Sequence, residues 1–463
     1  MEQQRIVIIG GGPAGYEAAL VAAELGADVT VVSKEGLGGN CVLWDCVPSK
    51  ALIVAAEAMG WFAHAGELGI HLEGSTHLDR HLVDFPVAAR RALDLGANQS
   101  HDIEARVVGA GVRVLRGTGR VSGDHECTAT LADGTVEVLS ADYVLIATGS
   151  KPRLFPFFEP DGERILTGQD VYGLPEVPER LIVVGSGATG AEFAHAFVRF
   201  GSDVTLVSSR DLILPTEDPD AAQVIEDVFE RRGMKILRNS RAVSCERTDD
   251  GVRIGLQGGG HVDGSHVLFT VGQVPVTGDL GLEDVGVTVN EWGFIPIDDV
   301  SRTSRRWVYA AGDVTGKVML ASVAAMQGRT AVWHALGQAV TPIRYGAVAA
   351  TIFTDPEVAT VGLSPDDASA LGMPVETARL AFRSNPRAKM VNATEGFVKV
   401  HAMSGSGIVL GAVVVSRRAS DLIQPLAVAV QNRLSVAQVA QTMTVYPSMA
   451  GSVAEATRML MHQ

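Results

Sequence analysis

Two stretches of this chain are built to one plan, and that plan restricts the fold more than any other feature. The first reads Arg5-Ile-Val-Ile-Ile-Gly-Gly-Gly-Pro-Ala-Gly-Tyr-Glu17, and the second reads Arg180-Leu-Ile-Val-Val-Gly-Ser-Gly-Ala-Thr-Gly-Ala-Glu192. Each opens on a Val/Ile run too short for a helix, which reads as a strand buried in a parallel sheet. Each continues into Ala-rich helix and then reaches a second strand, at residues 28–32 and 203–207. Both are β-α-β units, so the expected class is α/β with two Rossmann-like, three-layer dinucleotide-binding domains.

The glycines say why. Gly10 allows a tight turn, Gly12 lets backbone approach a pyrophosphate, and Gly15 lets helix and strand pack closely. Pro13 and Ala14 open the helix whose unpaired N–H groups would face the phosphates. Gly185, Gly187 and Gly190 hold the same places in the second copy. One such motif alone can be a ligand-free turn; two in one chain, both between strand and helix, argue for two nucleotides.

Composition narrows the class. Apolar residues make up 46% and charged residues 20%, and the net charge is −15. An acidic surface repels phosphate backbones, so no nucleic-acid partner is expected. No run of about 20 apolar residues is present, so no membrane span is expected. Strand-like residues 6–9 leave no room for a signal peptide, and a cytoplasmic, reducing setting follows. Four cysteines do not make a disulfide scaffold, but Cys41 and Cys46 stand together beside a glycine-rich turn.

Along the rest of the chain, residues 57–95 read as helix. Residues 112–146 read as short strands with turns at Gly123-Asp124 and Asp133-Gly134. Residues 219–232 read as helix and 235–238 as strand. Beyond about residue 345 the pattern becomes α+β, with strands at 348–353, 396–401 and 408–416 and helices at 420–433 and 436–442. Two further strand ends bear on the first nucleotide. Asp142-Tyr-Val-Leu-Ile-Ala-Thr-Gly-Ser-Lys-Pro152 ends a strand in Ala147, Thr148 and Gly149. Residues 303–313 read as a strand ending in Gly312 and Asp313, where glycine leaves space and a carboxylate can accept from ribityl hydroxyls.

The order of these motifs resembles the pyridine nucleotide-disulfide oxidoreductases, the family of dihydrolipoamide dehydrogenase and glutathione reductase. It also resembles their actinobacterial branch of NAD(P)H:quinone reductases. The resemblance covers nearly the whole chain and includes Gly38-Gly-Asn-Cys41, Cys46-Val-Pro-Ser-Lys50, Gly272-Gln-Val-Pro275, Phe353-Thr-Asp-Pro-Glu357, Val361-Gly362 and Asn385-Pro-Arg-Ala388. It implies FAD held by residues 1–154 and 273–345, NAD(P)H held by 155–272, and a homodimer joined through an α+β domain at 346–463. It also places Gly39, Asn40, Gly272 and Ala321 against the cofactors.

By the same resemblance, Cys41 and Cys46 are a redox disulfide, with Cys46 against the flavin and Cys41 facing a substrate. Lys50 and Glu192 would pair beside the flavin, where a cation favours electron-rich and thiolate states. The C-terminus departs from the pattern. The family's disulfide reductases carry a His-Pro and, four residues on, a Glu, contributed by the other subunit. Here Tyr446 stands before Pro447, and Gly451 stands in the place of the Glu. Neither His401 nor His462 is placed to substitute. A phenol with an ordinary pKa near 10 is a poor base at neutral pH, and general acid–base catalysis typically supplies about 10²–10⁴-fold.

The expected activity is therefore hydride transfer from NAD(P)H to flavin and on to a quinone-type acceptor. A disulfide reductase with an atypical proton donor and a flavin-bearing redox sensor remain alternatives. Cosubstrate choice turns on residues after the second strand. Ser208-Ser-Arg210 offers no acid to repel a 2′-phosphate and one cation to attract it, so NADPH is favoured with NADH also accepted. In the first unit Ser33 stands where an acid usually holds the adenosine ribose, followed by Lys34 and Glu35, the nearest acid able to take that role.

Overall fold

A computed structural model describes residues 3–70 and 80–462. The chain forms two compact units, one of residues 1–51, 87–154 and 272–343, the other of residues 52–86, 155–271 and 344–463.

The first unit is built on a seven-stranded sheet. Its order is Val308–Ala310, Tyr143–Ile146, Arg5–Ile9, Asp28–Ser33, Arg113–Gly123, Glu126–Leu131 and Val136–Ser140. The first five run parallel, and the last two return as antiparallel hairpins. Arg5–Ile9 lies inside the sheet, with Ile6 between Val29 and Tyr143. Both of its faces are covered, which is why it reads as a continuous apolar run rather than an alternating one. Ile6 and Ile8 pack into one core with the helices Pro13–Glu24 and Ala321–Ala335. Val7 and Ile9 pack into another, with Leu115, Val121 and Ile295.

The second unit repeats the parallel plan in a five-stranded sheet of order Lys235–Leu237, Asp203–Val207, Arg180–Val184, His266–Phe269, Ile165–Leu166. A three-stranded antiparallel sheet, Ala242–Thr248 to His261–Gly264, adjoins it in sequence. A second five-stranded sheet is wholly antiparallel, in the order Ala349–Ile352, Glu357–Gly362, Val409–Ser416, Phe397–Met403, Val375–Ala381. Helices Gln424–Asn432 and Gly451–Met459 cover it through Leu426, Val430 and Val453. The architecture is mixed α/β, with an α+β C-terminal part.

Three local expectations are corrected. Residues 57–95 are not one helix. The helix Cys46–His64 passes into a short turn, Ala65–Leu68, that ends on left-handed Gly69 (φ 75°). A new helix, Phe85–Gly109, then starts with Pro86 in its first turn, where a missing N–H costs nothing. Residues 71–79 lie outside the described residues. Residues 303–313 are not one strand either: Val308–Ala310 alone joins the sheet, and the chain before it folds back so that Arg302 bridges Tyr309. In the C-terminal sheet, strands Glu357–Gly362 and Val375–Ala381 were not anticipated.

Candidate cofactor and active site

The first glycine turn is shaped by what a Cβ would strike. Gly10 has φ 112°, and a Cβ there would lie 2.1 Å from the Ala147 carbonyl oxygen; at Gly15 it would lie 2.0 Å from that of Gly10. Gly12 caps the helix Pro13–Glu24 with open space around it and no side-chain cap, so the first-turn N–H groups are left for an anion. Gly39 comes so near that a Cβ on it would sit 2.8 Å from the Gly12 Cα.

A connected set of side chains stands beside this turn. The Asn40 amide donates to the Ser150 carbonyl (2.8 Å), and the Ser150 hydroxyl donates to Asp313 (2.7 Å). The Gly312 N–H donates to the side-chain oxygen of Gln327 (2.7 Å), and Gly312 itself faces the methyls of Ala14 and Ala324. Thr148 donates to the Val276 carbonyl (2.6 Å). Burial pushes the Asp313 carboxyl up, which its bond from Ser150 opposes. A half-buried carboxylate, an uncapped helix start and a glycine cradle are a set that fits FAD. Ser49, buried on the helix that carries Lys50, has no hydrogen-bond partner for its hydroxyl among the described residues.

Other expected residues are committed elsewhere. Ser33 is buried and donates to the Gly36 carbonyl (3.1 Å). Lys34 and Glu35 are exposed; one Glu35 carboxylate oxygen accepts from the Trp44 indole (2.8 Å). Gly149 (φ 72°) and Gly272 (φ 98°) are left-handed, and Ala321 starts the helix Ala321–Ala335.

Cys41 lies in the helix Gly39–Leu43, and Cys46 begins the helix Cys46–His64. Both are half-buried free thiols, so the disulfide that the resemblance implies is not formed in this structure. Their hydrogen bond, then burial, then the charge of Asp45 push the Cys41 thiol far up; Lys50 opposes this.

In the second unit the turn geometry recurs. Gly185 has φ 115°, its Cβ position blocked by the Thr270 carbonyl, and Gly190 abuts Gly185. Gly187 caps the helix Ala188–Arg199 with open space and no side-chain cap. Glu192, on that helix, is buried and accepts from the Phe353 N–H (2.9 Å). Ser208 is fully buried, with its hydroxyl shared between Ser186 (2.8 Å) and the Arg210 backbone. Arg210 is exposed, three residues past the strand Asp203–Val207.

Tyr446 is 83% exposed, next to Met443 and Val445, which are also exposed. The following residues are anchored by Asn385, whose amide donates to the Ser448 carbonyl (3.0 Å) and the Ser452 hydroxyl (2.8 Å). His401 is buried in its sheet, 2.9 Å from the Thr377 hydroxyl, and burial pushes it down to about 4. The side chain of His462 lies outside the described residues. Sequence reasoning missed Ser150, Gln327 and the anchoring role of Asn385. Gln327 left one signal: an amide inside an Ala-rich helix, with nothing in the local sequence to bond it.

Comparison with known proteins agrees with this fold. Residues 4–328 match the family model described as pyridine nucleotide-disulphide oxidoreductase, and residues 348–457 match the dimerisation domain of the same family. A Mycobacterium tuberculosis protein named NAD(P)H dehydrogenase (quinone) is 48% identical, over 99% of this chain and 94% of its own length. A Haloarcula marismortui dihydrolipoyl dehydrogenase is 35% identical, over 97% and 95%. Among solved structures, M. tuberculosis LpdA superposes with a TM-score of 0.94 at 47% identity, covering 99% of both chains. An Escherichia coli flavoprotein disulfide reductase, RclA, shares the fold at 22% identity, with a TM-score of 0.86 over 99% of this chain and all of that one. The chain therefore belongs to the pyridine nucleotide-disulphide oxidoreductases, flavin-dependent enzymes that bind FAD and use NAD(P)H.

Proposed function

We propose that this protein, as a homodimer, moves electrons from NAD(P)H through FAD to a quinone-type acceptor. The observation that carries this reading is the C-terminal segment, where Tyr446 and Gly451 occupy the places that a proton-shuttling imidazole and its carboxylate would need. The name of the mycobacterial relative supports it.

When bound, FAD supplies the two-electron relay between nicotinamide and acceptor. The chain's own residues bind and orient. The uncapped helix start at Gly12 would hold the FAD pyrophosphate, and the one at Gly187 that of NAD(P)H. Asp313, part-buried and bonded by Ser150, would accept from the polyol. Lys50 supplies a cation that stabilises negative charge on the ring system, and Glu192 is fixed by the Phe353 N–H. Arg210 attracts a 2′-phosphate. With Tyr446 and Gly451 in place of an imidazole and its carboxylate, nothing there takes the Cys41 proton, so attack on a disulfide is slow and electrons leave without passing through sulfur.

A disulfide-reductase reading has one observation in its favour, the hydrogen-bond contact of Cys41 with Cys46. The two readings separate in a steady-state comparison of the FAD-loaded protein with NADPH, using a benzoquinone or lipoamide as acceptor. The expected result is quinone turnover at least about 10²-fold above lipoamide turnover, the lower end of what an acid–base group supplies. Lipoamide turnover equal to or faster than quinone turnover overturns the proposal.

A further inference from the structure

The loop that follows the strand Asp203–Val207 is pinned from beneath by a buried carboxylate that hydride transfer does not use. Glu226, on the helix Pro219–Arg231, is 1% exposed. One of its oxygens accepts from the Ile213 N–H (2.9 Å), and the other takes the Arg238 guanidinium through two nitrogens (3.1 and 2.8 Å). Arg238 also reaches Glu230 (2.8 Å), so its charge is spent on this helix. Four more bonds fix the same loop. The Leu214 N–H donates to the Ser186 carbonyl (2.8 Å), the Asn239 N–H to the Arg210 carbonyl (2.9 Å), the Ser240 N–H to the Ser208 carbonyl (2.7 Å), and the Ser186 and Ser208 hydroxyls meet at 2.8 Å.

We infer that Glu226, with Arg238, is a positioning residue for cosubstrate selection: it holds residues 208–214 in the shape that presents Arg210 to the 2′-phosphate of NADPH. This rests on the reading that Arg210 meets that phosphate. A buried carboxylate costs stability unless it is fully bonded, and here its bonds go to the loop backbone and to the Arg238 guanidinium, which balances its charge. A fixed loop places the cation without ordering cost at the moment of binding. It also keeps Arg238 from serving as a second phosphate ligand, which leaves discrimination to Arg210.

Binding of 2′,5′-ADP and of ADP to the FAD-loaded protein, by calorimetry, tests this without turnover. Glu226→Gln and Arg238→Met should each weaken 2′,5′-ADP about tenfold, the order set by one lost bond to a charged group, and leave ADP within about twofold. Arg238→Lys, which keeps the charge, should recover part of the loss. Equal weakening of both ligands, or no weakening in either variant, overturns the inference. Arg210→Met separates the two levels. If it leaves the preference for 2′,5′-ADP intact, the phosphate reading itself fails. If it abolishes the preference while Glu226→Gln and Arg238→Met do not, only the positioning role fails.

Discussion

His195 lies wholly buried on the helix Ala188–Arg199, parallel to the ring of Phe229, with neither ring nitrogen hydrogen-bonded among the described residues. Burial, then the nearby Arg232 charge, push it down to about 3. In the unfolded chain an imidazole takes its proton near pH 6.5. Between these values the unfolded state binds more protons, so stability falls as pH falls, by about 1.4 kcal/mol per pH unit from this group. His195→Leu should flatten the change in unfolding free energy between about pH 6.5 and about pH 4, as read by urea titration. An unchanged slope would mean that the imidazole is not held neutral. The C-terminal segment offers a test in the other direction. Tyr446→His combined with Gly451→Glu should raise lipoamide turnover by about 10²-fold or more, with little effect on quinone turnover. The residues legible in sequence were those whose need is set by the local turn, such as Gly10 and Gly185, whose φ of 112° and 115° only glycine adopts readily. Ser150 was not legible, because its meaning comes from Asp313, which is distant in sequence and brought near only by folding.

One carboxylate joins the ends of three elements in the second unit. Asp355 accepts from Arg199 at the end of its helix (2.9 Å), from Arg232 at the cap of the helix Pro219–Arg231 (3.0 Å), and from Arg417 just past the strand Val409–Ser416 (3.1 Å). Burial would raise its carboxyl, but Arg232 and Arg417 hold it well below the usual carboxylate range. Asp355→Asn leaves those guanidinia without a counter-charge and should cost about 3–5 kcal/mol in denaturant unfolding. In the first unit, Gly328 lets the helix Ala321–Ala335 lie against Pro13–Glu24, since a Cβ there would fall 2.2 Å from the Ala14 carbonyl oxygen. Gly328→Ala should separate the helices at a cost of about 1–3 kcal/mol and release FAD during gel filtration, because Gln327 holds Gly312 from the same helix. The two β-α-β units could be read from their period and turn chemistry. The strand Val375–Ala381 could not: it lies at the sheet edge, and among its mixed polar and small residues only Ala378 is buried, so no apolar face marks it.

At the level of the whole molecule, the dimerisation domain leaves Met443, Val445 and Tyr446 largely exposed in the single chain. Three large apolar or aromatic side chains in four residues are what an interface covers. Sedimentation should show a dimer, and Val445→Asp with Tyr446→Asp should shift it toward monomer while FAD remains bound. The sequence order of the motifs pointed to two nucleotide sites. That residues 273–345 belong with residues 1–154 was implied only by the family resemblance, because a parallel sheet accepts strands from any distance along the chain and neither period nor spacing marks the return of Val308–Ala310 beside Tyr143–Ile146.

The route by which electrons leave is tested most directly by quinone turnover in Cys41→Ser. Cys41 lies off the proposed path, so kcat/KM with NADPH and a benzoquinone should stay within about threefold of the unchanged protein, a difference of less than about 1 kcal/mol in barrier. Loss of turnover in an FAD-loaded, folded Cys41→Ser protein would mean that the electrons pass through sulfur after all.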